Sequence, residues 1–183
     1  MNRQCILSLL AATVLGLTLV PSGAVAQQKS LKEQVVGTWT LVSCDPPANA
    51  TRQPFCVNPS GSEIFDANGR FIVVIAARGR PKATTGPTGV INRADLSPEE
   101  YKAIAQGMVS NFGTWSVNEA DKTQTLHAEG ALFPNGEGRD AKMSVSVTGD
   151  EKKTVSADGT VYTWRRAKYP SRLEGQRPDG GCN

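Results

Sequence analysis

Apolar and polar residues alternate with a period of two through most of this chain, and turn residues break the alternation at short intervals. Residues 36–44 set the pattern, with Trp39, Leu41 and Ser43 on one face and Thr38, Thr40 and Val42 on the other. Further segments of strand character occupy 62–66, 71–77, 111–118, 123–133, 141–148, 154–157 and 161–166. Asn68-Gly69, Gly149-Asp150 and Asp158-Gly159 join several of them as tight turns, where positive φ is needed. Residues 71–77 are apolar without interruption, which predicts a strand buried on both faces. Two stretches cannot be central strand. Residues 45–60 hold four prolines, and 78–94 are rich in Gly, Pro and Thr; both predict long loops.

Two helical pieces fit between these segments. Ser30 and Glu33 form a small capping box, which predicts a single turn before the first strand. Ser97, Pro98 and Glu100 open a helix running to about Met108, with Tyr101, Ile104, Ala105 and Met108 as its apolar stripe. Short antiparallel strands in chain order predict an all-β fold: an up-and-down antiparallel β-barrel of about eight strands with one short α-helix. Only closure removes both sheet edges. A barrel of that size either fills with side chains or holds one small ligand.

The first 26 residues read differently. Arg3 gives a basic start, an apolar run follows, Pro21-Ser22-Gly23 breaks it, and Ala24-Val25-Ala26 supplies small residues at a cleavage position. This predicts a signal peptide over 1–26, cleaved after Ala26, and a periplasmic or secreted protein. The barrel domain is expected over 27–167 and a disordered tail over 168–183. Cleavage leaves 157 of the 183 residues, with 19 Lys and Arg against 17 Asp and Glu. A net charge of +2 is too balanced for a nucleic-acid partner. Three cysteines remain. Cys44 and Cys56 are expected to form a short-loop disulfide, leaving Cys182 free or intermolecular in an otherwise monomeric protein. With one histidine and no paired ligands, the chain predicts no metal site and no cofactor.

The tripeptide Gly37-Thr38-Trp39, repeated as Gly113-Thr114-Trp115, is the opening motif of calycin-type barrels. In order along the chain come Val36 to Ser43, Phe65-Asp66-Ala67-Asn68-Gly69-Arg70-Phe71, Arg80-Pro81-Lys82, and Phe112 to Val117. His127-Ala128-Glu129-Gly130, Phe133-Pro134-Asn135, Thr148-Gly149-Asp150-Glu151 and Trp164-Arg165-Arg166 complete the series. With these residues the chain resembles the bacterial lipocalin-like domain family over nearly all of 36–168, apart from the loop at 45–60. Gly136 stands where that family often has Trp, and Ala141-Lys142-Met143 where it tends to have Gln-Lys-Arg. The resemblance implies a lipocalin-type barrel with a small-molecule pocket, and brings no agreed catalytic residues. It also implies structural roles for Gly37, Trp39, Trp115 and Trp164. An Arg of the last strand is expected to stack over Trp39; Arg165 is the first choice, with Arg166 as the alternative.

The candidate ligand-binding residues are His127, Glu129, Arg80, Phe71, Val73 and Ile75. If the face bearing Thr125, His127 and Glu129 points inward, His127 and Glu129 form a polar patch in an apolar cup. Arg80, with Arg78 and Lys82, would then offer a basic rim for a carboxylate or phosphate head. The expected function is an exported protein holding a small, largely apolar ligand in the barrel. Two other classes stay open: a barrel enzyme of isomerase, cyclase or hydrolase type using His127 as base, and a protein-interaction or inhibitor module.

Overall fold

Short turns between period-two segments force each strand to pair with its neighbour in the chain. The computed structural model, which describes residues 29–83 and 89–168, carries this to completion. Strands β1 (Gly37–Asp45), β2 (Pro59–Phe65), β3 (Arg70–Ala77) and β4 (Met108–Asn118) are followed by β5 (Thr123–Ala131), β6 (Asp140–Thr148), β7 (Glu151–Val155) and β8 (Val161–Arg166). All pairs are antiparallel, and β8 returns to β1, so the sheet closes into an eight-stranded barrel. Helix α1 (Leu31–Val35) precedes β1, and α2 (Pro98–Gln106) lies between β3 and β4. Both carry the expected capping boxes, on Ser30 with Glu33 and on Ser97 with Glu100. Among the described residues no helix is long and apolar enough to cross a membrane. The expected signal peptide at 1–26, and all of the expected tail at 168–183 except Lys168, Cys182 included, lie outside the described residues.

One end of the barrel is solid. Trp39 and Val35 are wholly buried there with Phe65, Phe71 and Trp115, and Trp115 meets Phe65 edge-on at 5.1 Å. The Trp39 indole donates to Val35 O at 2.8 Å, which ties α1 across the opening. Glu119, in the β4–β5 turn, accepts from Leu31 N and Lys32 N at the first turn of α1. Arg166 covers the plug. Its guanidinium stacks 4.1 Å from the Trp39 ring and donates to Val36 O and Gln34 O. Gly37 makes room for it: its φ is +133°, and a Cβ there would lie 2.9 Å from Arg166 Nη1. Arg165, the sequence-based first choice, is exposed and stands opposite Thr40 on the outer wall. The register decides between them, because Trp39 is paired with Arg166.

The other end stays open between long connections. The disulfide Cys44–Cys56 pins the loop after β1 to the rim, with a Cα separation of 5.3 Å. Arg52 reinforces it by donating to Cys44 O and Cys56 O. Strand bounds and faces depart from the sequence reading: β2 starts at Pro59, inside the expected loop, and β4 takes up Met108, the expected helix end. β3 is buried on its inner side only, through Phe71, Val73 and Ile75; Ile72 is 52% exposed, flanked across the sheet by Ile64 and Phe112. Helix α2 packs on β4, and the outer patch of Ile64, Ile72 and Phe112 is exposed. β7 starts at Glu151 rather than 154, so Lys152 belongs to a strand and not to a turn. β6 pairs with β7 only from Ser144 to Thr148. Its upper half, from Asp140 to Met143, therefore has β5 on one side and no strand on the other.

Replacing Arg166 by Ala removes two charge-assisted hydrogen bonds and the stack on Trp39. Arg166→Ala is expected to cost about 2–4 kcal/mol in urea unfolding, and Arg165→Ala less than about 0.5 kcal/mol.

Candidate functional site

The inner faces of seven strands, β2 to β8, line a cavity of about 460 Å³ above the aromatic plug. Val73 and Ile75 of β3, Val109 of β4, Leu126 of β5 and Met143 of β6 supply its apolar wall. Between that wall and the plug lies a polar floor. Glu63 of β2 and Lys152 of β7 point inward by strand alternation and form a buried ion pair, with side chains 5% and 0% exposed. Lys152 Nζ sits over Phe65 at 4.2 Å, Trp39 at 5.3 Å and Trp164 at 5.7 Å. The ammonium is thus boxed in by rings, and Glu63 presents its carboxylate to the cavity.

Burial acts on both partners. Desolvation pushes the Glu63 carboxyl above its ordinary value, partly offset by the charge and hydrogen bond of Lys152. Desolvation likewise pushes Lys152 down, partly offset by Glu63. Neither Glu63 Oε1 nor Lys152 Nζ has a hydrogen-bond partner beyond the ion pair itself. Three more buried polar atoms are unpartnered: Gln124 Oε1, Asn111 Oδ1 and Trp164 Nε1. All three residues line the same cavity. Leaving such a group unpaired costs about 1–3 kcal/mol, and the three stand on three different strands, β5, β4 and β8.

The cavity opens past Asp140, Ala141 and Lys142 of upper β6 on one side, and Ser156, Ala157, Asp158 and Tyr162 around the β7–β8 turn on the other. That turn is held by Asp158, whose carboxylate accepts from Ser156 Oγ, Thr160 N and Thr160 Oγ1; the Ser156 hydrogen bond is the main reason its pKa is lowered. Burial pushes the Tyr162 phenol up.

The sequence-predicted candidates are distributed unevenly about this site. Val73 and Ile75 line the cavity, whereas Phe71 belongs to the plug below it. His127 and Glu129 are both exposed on the outer wall. His127 Nδ1 lies 2.8 Å from Asp140, and Glu129 pairs with Arg70, the Nη2–Oε2 contact being 2.8 Å. The inward set of β5 is Gln124, Leu126 and Ala128. Beyond Ala128 a bulge follows: Gly113 pairs with Ala128 and Phe112 with Gly130, so Glu129 is the extra residue. Arg80 turns back to donate to Ala77 O at 3.1 Å and does not line the cavity. Among the described residues no basic rim forms over the cavity, whose mouth carries Asp140 and Asp158 against Lys142.

Sequence reasoning missed Glu63, Lys152, Gln124 and Asn111. The signal for Gln124 was present, since it shares its period-two face with Leu126 and Ala128, the more apolar of the two faces. Lys152 was hidden by the turn before it, although it stands opposite Trp164 in register.

A closed eight-stranded antiparallel barrel, plugged by a tryptophan and lined above the plug, defines a protein of the lipocalin-like class. Residues 36–169 match the lipocalin-like domain family, and the chain belongs to it. No curated protein matches the chain. Among solved structures it is similar to an uncharacterized protein from Bacteroides eggerthii, with 13% identity and a TM-score of 0.39, over 72% of this chain and 98% of that one.

Removing only one member of the floor pair strands the other. Lys152→Met is expected to destabilise by about 3–5 kcal/mol in urea unfolding, and Glu63→Met/Lys152→Met to recover most of that loss. The pH dependence has two limbs. The Glu63 contribution is full below pH 4.5 and is lost as pH rises through its elevated folded value. The Lys152 contribution is full above pH 10.5 and is lost as pH falls through its depressed folded value. The wild-type unfolding free energy minus that of the double variant is therefore expected to be smallest at intermediate pH, rising toward both limbs.

Proposed function

We propose that this protein is an exported carrier that holds a small, largely apolar molecule in the barrel, polar end down. The observation that carries the reading is the cavity itself. Its largely apolar wall is interrupted by Glu63 and by the unpartnered polar atoms of Gln124, Asn111 and Trp164. Pockets of this kind bind by burying an apolar body and orienting it through a few polar groups. Membership of the lipocalin-like family supports a ligand-binding barrel. The leader at 1–26 and the disulfide between Cys44 and Cys56 support a periplasmic or extracellular setting. Catalysis through His127 would require its imidazole in the cavity, and it stands on the outer wall with Asp140.

The test uses a neutral fluorescent lipophile, N-phenyl-1-naphthylamine, and native mass spectrometry of protein purified from its own source. The wild type is expected to enhance the dye's fluorescence saturably and to carry a co-purifying small molecule. Ala141 lines the mouth on an exposed stretch of β6, so Ala141→Trp can fill the opening without disturbing the core. That variant is expected to bind the dye about tenfold more weakly or worse, a change of ~1.4 kcal/mol, at unchanged stability. Dye binding by Ala141→Trp equal to wild type would remove the barrel interior as the site.

A further inference from the structure

The outer wall of β2, β3 and β4 carries apolar side chains in register. Ile64 stands opposite Ile72, and Ile72 opposite Phe112, in one row across three strands. Phe112 stands in turn opposite Gly130, and its ring lies so close over that residue that a Cβ there would collide with it. One level up, Val74 pairs with Ser110, and Leu132 N donates to Ser110 O, which sets Leu132 beside the row. Ile64, Ile72, Phe112 and Leu132 are 40–52% exposed. At about 150–250 Å² for a large side chain they bare roughly 300–400 Å², a size at which patches are often functional. Below the row Arg70, opposite Thr114, reaches across β4 to a two-pronged ion pair with Glu129, both side chains about half-exposed.

We propose that a second copy of the chain docks on this face, in place of the monomer expected from the sequence. The face is self-complementary about β4. Ile72, Val74 and the cation Arg70 lie on its β3 side; Gly130, Leu132 and the anion Glu129 lie on its β5 side. A two-fold axis along β4 therefore sets Arg70 of each copy opposite Glu129 of the other. The same axis sets Ile72 and Val74 opposite Gly130 and Leu132, and Phe112 meets Phe112. Two-fold contacts of this kind are the commonest in homo-oligomers, and sheets stacked face to face keep their strands nearly aligned. A lipid surface fits less well, because interfacial membrane sites add basic residues and this rim sets one cation against one anion. The patch is small against the ~800 Å² per partner of a standard interface, so the association is weak. The cavity mouth, at upper β6 and the β7–β8 turn, lies on other strands and stays free in both copies. The proposal is thus independent of the carrier reading.

Sedimentation equilibrium tests this in a Cys182→Ser background, which excludes covalent pairing through that cysteine. The background protein is expected to show a monomer–dimer equilibrium with a Kd of about 1–100 µM. Ile72→Glu puts a carboxylate within the apolar contact and should weaken it about a hundredfold or more. Arg70→Glu lines the axis with four acids and Glu129→Arg with four bases, so each alone should weaken dimerisation about tenfold or more. Mixed in equal amounts, these two variants should form a heterodimer of near-background affinity, since every acid then meets a base across the axis. That rescue separates a contact between copies from the ion pair within one chain, which both variants have lost. A background protein still monomeric at about 1 mM would overturn the proposal. So would dimerisation indifferent to Ile72→Glu, or a mixture no more associated than its components. A monomer that instead co-sediments with phosphatidylcholine vesicles, and loses this with Ile72→Glu, would give the face to a lipid surface and overturn it equally.

Discussion

The return of β8 to β1 is the constraint on which the remaining architecture depends. Once the last strand pairs with the first, every residue on the inner parity of eight strands must share one enclosed volume. At the plugged end that volume is consumed by Trp39, Phe65, Phe71 and Trp115, with α1 drawn across by the Trp39 indole and by Glu119. Arg166 completes the end because it is the register partner of Trp39, and Gly37 is the residue that tolerates its approach. The plug occupies only the lower part of the cylinder. Above it the walls are too far apart for the side chains present to meet, and the cavity is what remains.

Within that volume the arrangement of polarity follows from alternation alone. Glu63 and Lys152 have no route to solvent without a change of register, which would turn their buried neighbours Phe65 and Thr154 outward as well. Their pairing is therefore enforced by the surrounding strands rather than chosen for its own strength. Burial opposes both charges, and the rings around Lys152 Nζ compensate it in part. The gain is architectural: the ion pair sits between the aromatic plug and the apolar wall of the cavity.

Much of the architecture was legible from residues alone. The number and order of the strands, both capping boxes and the Cys44–Cys56 pairing rest on local signals that tertiary packing leaves unchanged, whereas the role of Trp39 followed from the family resemblance. Faces were harder to read. On β5 the two parities compete: one carries the polar chemistry of His127 and Glu129, and the other, marked by Leu126 and Ala128, is the interior one. The choice between Arg165 and Arg166 depended on register across β1 and β8, which a single strand does not encode. Lys152 lay beyond local reasoning for a related reason. A lysine beside a turn reads as solvated, and only the aromatic rings delivered by β1, β2 and β8 make its burial tolerable.

The short pairing of β6 with β7 has a consequence for how the barrel handles molecules of different size. Beside Asp140 to Met143 the wall is a seam rather than a continuous ladder, and the lumen reaches it. A long substituent could pass out through that seam while its polar terminus stayed on the floor, with no hydrogen bond of the ladder broken. Discrimination would then be concentrated at one end of the bound molecule and nearly absent at the other, so that a homologous series would be sorted by its terminus and not by its length.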